Sequence, residues 1–238
     1  MDDASNGFAI ETVLFDLDGT LVDSAPDLHV AANKLLAEEN RRSVTLGEII
    51  MMIGDGVPKL VERAFEATGE VARDDNLAAL TTRYLEFYEP HAADLTRPFP
   101  GAIDCLHRLK NQGFALALCT NKPYDPALEI LDSLGLAEAL TVVIGGDSLP
   151  GIRKPDPRHL LAAIDKLGAD AHSTVMIGDN ANDINAAKAA NLPAIVCRFG
   201  YTQGPAENLG GDVIIDHFNE LPEAFKKLPR RRRDAPDA

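Results

Sequence analysis

The sequence predicts an α/β protein whose parallel sheet core is interrupted by an inserted helical domain. After the stretch RPFPG at Arg97–Gly101, short apolar runs alternate with helical patterns, which is typical of a parallel sheet covered by helices on both faces. The apolar run Thr12–Phe15 has the same strand character but lies far upstream. From about Ser24 to Tyr88, the spacing of apolar residues is almost wholly helical. The chain is therefore predicted to leave the sheet after the first strand and to return near Arg97.

Local signals place the inserted helices and the domain boundaries. The stretch DSAPDLHVAANKLLAEEN opens with a capping residue and a proline near the first turn, and apolar residues then recur at helical spacing. VPKLVERAFEATG and NLAALTTRYLEFYEP show the same pattern, whereas MMIGDGVPK is a loop. We assign residues 1–21 and 99–229 to the α/β core and residues 22–98 to the insertion, called the helical insertion below. Residues 230–238, which begin with an arginine run, are predicted to be a disordered tail.

The core elements alternate in the order that a parallel sheet requires. Helices are predicted at Ala102–Asn111, Asp125–Leu134, Pro157–Leu167 and Ala181–Ala190. Strands are predicted at Thr12–Phe15, Phe114–Thr120, Thr141–Gly145, Thr174–Asp179 and Ala194–Phe199, and DVIID from Asp212 is a candidate for one more.

Composition excludes several classes of protein. The chain has 238 residues with a formal net charge of −14, which argues against general nucleic-acid binding. No apolar run is long enough to cross a bilayer, and the acidic start MDDASNGFAI lacks the features of a secretory signal, so a cytoplasmic location without membrane association is predicted. The cysteines are predicted to be reduced core residues. The sequence is compatible with a monomer or a homodimer.

Polar side chains of chemical interest follow several predicted strands. Asp16 and Asp18 end the first strand, Thr120 and Asn121 end the strand FALALCT, and Asp179 ends TVMIG. The segment RKPDP places Lys154 just before a helix. Because the carboxyl ends of parallel strands share one edge of a sheet, these distant segments are expected to meet there.

Such an assembly has the composition of a metal and phosphate site. The oxygen donors of Asp16, Asp18 and Asp179 favour a hard cation, with Mg²⁺ the first choice, and a dication explains how several carboxylates share a small space. Lys154 adds a point charge that suits a phosphate oxygen. A carboxylate nucleophile beside this site would form an aspartyl-phosphate, while a second carboxylate moves the proton. The substrate predicted is a small anionic phosphate ester.

Each of these features has a structural interpretation when it stands alone. An Asp-x-Asp pair at a strand end is usually turn chemistry, and GDNANDINAA is compatible with a turn followed by a helix cap. Thr120-Asn121 and Lys154-Pro155 are equally compatible with ordinary loops. Their conjunction, in order and each at a strand end or adjoining loop, favours the functional interpretation.

Taken together, DLDGT, CTNK, RKPDP and GDNANDINAA resemble the four ordered motifs of the haloacid dehalogenase superfamily. The resemblance covers nearly the whole chain except the arginine tail. It implies a Rossmann-like α/β core with a helical cap that closes over the site. It also implies that Asp16 is the nucleophile, that Asp18 is the general acid and base, and that Thr120, with Asn121 beside it, and Lys154 bind phosphate.

The resemblance further implies a metal site. Its ligands would be Asp16, the backbone carbonyl of Asp18, and Asp179, with Asp183 in an outer position that orients the lysine. Asn180 departs from the serine often found after Gly-Asp in relatives, which affects only its detailed contacts. An acidic residue at Asp18 favours a phosphatase or phosphomutase over a dehalogenase or phosphonate hydrolase of the superfamily.

A narrower resemblance concerns the substrate. FDLDGTLVDSAPDL, IGDGVPKLVERA, TNKP and VVIGGD are similar to bacterial phosphoglycolate phosphatases, which implies hydrolysis of 2-phosphoglycolate to glycolate and phosphate. Gly54 and Gly56 are candidates to bring backbone N–H groups to the substrate carboxylate, with Asp55 and Lys59 beside them, although a plain helix–helix turn explains the glycines equally well. The alternatives are another small-molecule phosphatase (for a sugar phosphate, an amino-sugar phosphate or pyrophosphate), a β-phosphoglucomutase-like mutase and a non-catalytic binding protein.

Overall fold

The computed structural model describes residues 10–69 and 74–229. The predicted tail at residues 230–238 lies outside the described residues. The strands are, in chain order, β1 (Thr12–Phe15), β2 (Val22–Asp23), β3 (Arg97–Pro98), β4 (Ala115–Cys119), β5 (Val142–Ile144), β6 (Thr174–Gly178), β7 (Ala194–Cys197) and β8 (Val213–Ile215). The helices are α1 (Ala25–Glu38), α2 (Leu46–Ile50), α3 (Val57–Thr68), α4 (Asp74–Tyr88), α5 (Ala102–Asn111), α6 (Tyr124–Ser133), α7 (Pro157–Leu167), α8 (Ala181–Ala189) and α9 (Leu221–Lys227).

Six strands of the described chain form one parallel sheet in the order β5-β4-β1-β6-β7-β8. The α/β class is therefore confirmed, and the predicted core strands are all present. Several strands end one or two residues inside their predicted bounds. Thr120 and Asp179, for example, lie just beyond β4 and β6. Strand pairing stops at the chain positions where polar loop residues begin.

The register of the sheet places the functional strand ends side by side. β1 lies between β4 and β6, and Phe15 at its end pairs with Leu118 on one side and Ile177 on the other. Asp16 is the next residue, and its backbone N–H donates to the Ile177 carbonyl at 3.0 Å. The residues that follow β4 and β6 therefore flank Asp16 at the carboxyl edge, as expected for a ligand crevice.

The two faces of the sheet are covered by different helices. Because side chains alternate along a strand, Val13 and Phe15 enter one apolar cluster and Leu14 enters the other. The first cluster includes side chains of α5, α6 and α9, and the second includes those of α7 and α8. Burial on both faces explains why β1 is apolar throughout.

The helical insertion begins and ends at one short antiparallel ribbon that the sequence did not predict. In it Val22 pairs with Pro98, and Asp23 pairs with Arg97. Helices α1 to α4 lie between these two strands in the chain, and their buried apolar residues belong to the same cluster as Phe15. The ribbon joins the segment in which the chain leaves the α/β core to the segment in which it returns. The division into domains stays a prediction.

Two short helices also escaped the sequence patterns. Helix α2 is only five residues long, but a reciprocal cap starts it: Glu48 N–H donates to Thr45 Oγ1 at 3.2 Å, and Thr45 N–H donates to Glu48 Oε2 at 2.7 Å. Helix α9 buries Leu221 and Ala224 and packs beside β8. Both are too short for a periodic signal to stand out.

Two further expectations concern membranes and cysteines. No helix among residues 10–69 and 74–229 combines the length and the apolar character that a membrane crossing requires.

Cys105, Cys119 and Cys197 are all free and buried. Burial raises the pKa of Cys105 to about 11 and that of Cys119 to about 12, so both stay thiols at neutral pH and behave as core residues.

A buried carboxylate, Asp27, joins the start of the helical insertion to its end. Its side chain is 4% exposed and accepts hydrogen bonds from Leu95 N–H at 3.0 Å and from Thr96 N–H at 2.8 Å. The Thr96 hydroxyl donates to the same carboxylate at 2.7 Å. Asp27 thus satisfies backbone groups that would otherwise be buried without partners where the chain returns to the core.

We predict that Asp27→Ala destabilises the protein by roughly 2–4 kcal/mol, because it removes the acceptor of the Leu95 N–H and leaves the buried Thr96 N–H unpaired. Urea unfolding followed by circular dichroism measures the change. Asp132→Ala is the control, since Asp132 is exposed, and its free energy of unfolding should stay near that of the wild type. Equal stability of the two variants would contradict the prediction.

Candidate active site

The carboxyl edge of the sheet brings the predicted catalytic side chains together. Asp16 follows β1, Thr120 follows β4 and Asp179 follows β6, and all three are buried. Lys154 comes from the loop before α7 and is 2% exposed. These segments are distant in the chain but adjacent in the sheet, as the sequence predicted. Their individual chemical roles stay predictions.

Lys154 lies between two carboxylates. Its Nζ is 2.9 Å from Asp16 Oδ1 and donates a hydrogen bond to Asp183 Oδ1 at 2.6 Å. Burial acts to lower the pKa of Lys154, but the negative charges of Asp16 and Asp183 outweigh it and raise the pKa above its ordinary value. The ammonium is therefore charged at any pH at which the protein would operate.

Asp183 connects this lysine to the start of helix α8. Its Oδ2 accepts hydrogen bonds from the N–H groups of Asp179 and Asn180, at 3.1 and 3.2 Å, while its Oδ1 binds Lys154. Asn180 in turn caps the helix, because its Oδ1 accepts from Asn182 N–H at 2.8 Å. Asp183 is thus placed to orient Lys154, the outer role that the resemblance implies. Asparagine at position 180 supplies the cap acceptor.

The loops around Asp179 leave no spare room. Its Oδ1 accepts from the Thr20 hydroxyl at 2.7 Å, and its Oδ2 accepts from Tyr201 N–H at 2.9 Å. A Cβ built on Gly200 would lie 2.3 Å from Asp179 Cβ, and one built on Gly19 would lie 2.3 Å from Asp179 Oδ2. Two glycines are therefore required for the loops to close on this carboxylate.

The buried acidic cluster has the composition of a divalent cation site. Ligand oxygens of Asp16, Asp179 and Asp183 all lie within 4.8 Å of one another. Three carboxylates against the single charge of Lys154 leave two negative charges uncompensated. Burial, followed by mutual repulsion among the carboxylates, raises the pKa of Asp179 and of Asp183 above their ordinary values.

The oxygens themselves also fit a cation. Asp16 Oδ1 is buried without a hydrogen bond, because Lys154 approaches it as an ion pair outside hydrogen-bonding geometry. A donor set made only of carboxylate oxygens suits a hard dication such as Mg²⁺, whose charge would offset the excess. Asp183 accepts three hydrogen bonds, one of them from the Lys154 ammonium, whereas each oxygen of Asp179 accepts one from a neutral group and Asp16 Oδ1 accepts none. Asp16 and Asp179 are therefore the side chains better placed to bind the ion.

Asp18 faces away from this cluster. Its Oδ1 accepts hydrogen bonds from Ser24 Oγ at 2.5 Å and from Lys122 Nζ at 3.0 Å. Lys122 is buried, and its Nζ lies 4.7 Å from the centre of the Tyr88 ring in the helical insertion. Lys122 was not among the site residues predicted from the sequence. Its position directly after Thr120-Asn121 was the available signal, but its contact with Asp18 depends on the fold.

A cavity between the core and the helical insertion borders this site. Asp16, Asp18, Thr120, Asn121 and Lys122 form its polar wall. Its other wall is mainly apolar and comes from the insertion: Leu28, Ile53, Gly54, Gly56, Val57 and Leu60. A small substrate in the cavity would meet the carboxylates on one side and the insertion on the other.

The candidate substrate-binding residues of the insertion divide into two pairs. Gly54 and Gly56 line the cavity, as expected for backbone groups that approach a substrate. Asp55 instead forms an ion pair with Arg63, and Lys59 forms one with Glu62. Asp55 and Lys59 border a separate surface cleft, so the structure does not bring their side chains into the cavity.

Comparison with known proteins agrees with this fold. A family model described as haloacid dehalogenase-like hydrolase matches residues 10–191. The chain therefore belongs to the haloacid dehalogenase-like hydrolase family.

The names of its relatives are more specific than the family description. The phosphoglycolate phosphatase of Caulobacter vibrioides is 41% identical over 213 residues, which cover 90% of each chain. That of Cereibacter sphaeroides strain ATCC 17029 is 42% identical over 91% of this chain and 98% of its own. Among solved structures, a predicted phosphoglycolate phosphatase from Haemophilus somnus 129PT has a TM-score of 0.84 at 29% identity, covering 90% of this chain and 97% of its own. CbbY from Rhodobacter sphaeroides, in complex with phosphate, has a TM-score of 0.76 at 25% identity, covering 89% and 96%.

We predict that Mg²⁺ raises the thermal stability of the wild-type protein, because a dication relieves the repulsion within the acidic cluster. At a concentration 100 times its dissociation constant, one bound ion adds about 2.7 kcal/mol. Calorimetry with Mg²⁺ and with EDTA measures the shift. Asp179→Asn should lose most of it, whereas Asp165→Asn, at an exposed position, should keep it. An equal shift in both variants would place the ion elsewhere.

Proposed function

We propose that this protein is a Mg²⁺-dependent phosphomonoesterase that hydrolyses 2-phosphoglycolate to glycolate and phosphate through a phosphorylated Asp16. The observation that carries the chemistry is the convergence of Asp16, Thr120, Lys154 and Asp179 at one sheet edge, beside a small cavity. The substrate is supported by two relatives that are named phosphoglycolate phosphatase and are 41 and 42% identical over nearly the whole chain.

The first half of the reaction would transfer the phosphoryl group to Asp16. Lys154 and the Thr120 hydroxyl would hold phosphate oxygens, which reduces their charge and permits an anionic carboxylate to approach phosphorus. An Asp16 oxygen would form a bond to phosphorus as the ester P–O bond breaks. Asp18, in its protonated form, would donate its proton to the departing glycolate oxygen.

The second half would release phosphate. Asp18, now a carboxylate, would take a proton from water as the water oxygen attacks phosphorus, and the bond to Asp16 would break. This sequence restores both carboxyl groups to their starting states. The hydrogen bond from Ser24 and the ion pair with Lys122 hold the Asp18 side chain in place next to the cavity.

A cation bound by Asp16 and Asp179 would supply electrostatic stabilisation of the negative charge that collects around the phosphate. The fit of the buried acidic cluster to such an ion supports its inclusion. Lys154 remains beside Asp16 in this scheme, because Asp183 fixes it from the other side.

The helical insertion would limit the size of the leaving group and would exclude bulk water from the site. Leu28, Val57 and Leu60 limit the space next to Asp18, which favours a short leaving group. Closure of the helical insertion over the site would exclude bulk water from the phosphorylated intermediate. Hydrolysis would then depend on the water that Asp18 activates. Lys122 provides a positive charge within this cavity that suits an anionic substrate in an otherwise acidic protein.

We predict that purified protein with Mg²⁺ releases phosphate from 2-phosphoglycolate with a higher kcat/KM than from sugar phosphates, amino-sugar phosphates or pyrophosphate. A phosphate-release assay over this panel measures the preference, and EDTA should abolish release. Metal-dependent release with a preference for another compound would support the proposed phosphatase chemistry but contradict the assignment of 2-phosphoglycolate as the substrate. Little release together with interconversion of sugar phosphates would indicate a mutase.

Asp16→Asn should lower kcat at least ~1,000-fold, because an amide is a poor nucleophile and forms no acyl phosphate in its place. The variant should remain folded by circular dichroism. Asp165→Asn provides the matched control and should retain wild-type turnover. Full activity of Asp16→Asn would show that the nucleophile has been assigned to the wrong residue.

A further inference from the structure

The turn Gly54–Gly56 is held from the core by two asparagine side chains. Asn121 Nδ2 donates a hydrogen bond to the Gly54 carbonyl at 2.9 Å. Asn182 Nδ2 donates to the same carbonyl at 3.2 Å and to Asp55 Oδ1 at 2.8 Å. A single backbone carbonyl of the helical insertion is therefore bound by amides from two separate core segments.

These two segments are the ones that adjoin the candidate catalytic groups. Asn121 directly follows Thr120, and Asn182 lies in the first turn of α8, three residues after Asp179. The turn that they hold also contributes Gly54 and Gly56 to the cavity wall. Contact between this turn and the two asparagines consequently fixes the wall relative to the phosphate and cation positions.

The acceptor on Asp55 is held in its charged form. Partial burial acts to raise the pKa of Asp55, but hydrogen bonds from Asn182 and Arg63, with the charges of Arg63 and Arg153, lower the pKa below its ordinary value. Arg63 belongs to the insertion and Arg153 to the core. A hydrogen bond to an ionised carboxylate is stronger than one between neutral groups, so Asn182 makes the firmer of the two contacts across this boundary.

The backbone of the turn allows it to approach the core closely. Gly54 has φ of +120° and Gly56 has φ of +85°, and α3 begins immediately afterwards at Val57. A Cβ at Gly56 would lie 3.3 Å from both Asn121 O and Arg153 Nη1. The turn thus packs directly against the core, with its position set by polar contacts and by the absence of a side chain.

We propose that Asn182 is a positioning residue that latches the helical insertion in its closed position through Gly54 and Asp55. The inference rests on the proposed ester hydrolysis at Asp16, and it does not depend on which ester is the substrate. Asn121 shares the Gly54 carbonyl, but its neighbour Thr120 and its place in the cavity wall tie it to phosphate binding. Asn182 does not line the cavity, so its substitution changes the contact with the insertion without removing a group that touches the substrate.

The consequence for catalysis is a change in the population of the closed form. If only the closed form binds substrate productively, the apparent dissociation constant rises as the closed fraction falls. Loss of the Asn182 amide removes two hydrogen bonds, one of them to a charged group. We therefore expect KM to rise roughly tenfold, with a smaller change in kcat.

The test compares Asn182→Ala with Asn185→Ala. Asn185 lies in the same helix, is exposed and has the same side chain, which makes it a matched control. Steady-state kcat and KM are measured with 2-phosphoglycolate and with p-nitrophenyl phosphate, and amide hydrogen exchange of residues 50–57 is measured by mass spectrometry without substrate. Only Asn182→Ala should show the rise in KM and faster exchange in this segment, while both variants keep the wild-type melting temperature within a few degrees.

A double-mutant cycle identifies the partner. If Asn182 acts through the turn, Asp55→Ala should reproduce part of its effect, and the double variant should show less than the sum of the two single effects on exchange. Exchange needs no turnover, so it tests the latch even if 2-phosphoglycolate is not hydrolysed. Unchanged exchange of residues 50–57 in Asn182→Ala, additive effects in the cycle, or an equal response of Asn185→Ala would each overturn the proposal.

Discussion

The balance of charge around Lys154 is the constraint on which the site depends. One buried ammonium stands between Asp16 and Asp183, and a third carboxylate, Asp179, completes the cluster. Burying so many carboxylates costs free energy unless cations compensate them, and a single lysine compensates only part of the charge. The site therefore combines the fixed ammonium of Lys154 with a position that suits a metal ion. These two positive charges together would attract phosphate.

The fold is organised to keep these charges in place. The parallel register aligns the ends of β1, β4 and β6, so that one residue beyond each strand reaches the same edge. Glycines at positions 19 and 200 let two loops close on Asp179, whose carboxylate accepts hydrogen bonds from both. Asp183 ties the cluster to helix α8 through the backbone N–H groups at its start. Rigid elements thus fix the positions of the carboxylates, which reduces reorganisation during a reaction.

The helical insertion contributes in a different way. Its apolar residues continue the core of one sheet face, whereas its Gly54–Gly56 turn meets the core through hydrogen bonds from Asn121 and Asn182. Asp27 joins its two ends at the ribbon, and the Gly54–Gly56 turn meets the core over the cavity. An element that is anchored at its ends and held over the site by side-chain hydrogen bonds is suited to open and close, because those hydrogen bonds can break while the anchored ends stay in place.

The sequence by itself determined the α/β class, the order of the core elements and the family. Apolar runs and helical spacing are local properties, and the motifs around Asp16, Thr120, Lys154 and Asp179 are short segments whose order is legible without a structure. Strand ends were less well defined, because pairing stops where neighbouring strands stop. Helix α2 and the ribbon of β2 and β3 were not predicted, since each is too short to show a period.

Only the tertiary structure decided which side chains meet across the boundary between the core and the insertion. The contact of Lys122 with Asp18, that of Asn182 with Gly54 and Asp55, and the placement of Asp55 and Lys59 outside the cavity each join or separate residues far apart in the chain. Such contacts depend on how α1 to α4 pack over the sheet edge. Packing is a property of surfaces brought together by the whole fold, and no local pattern of residues encodes it.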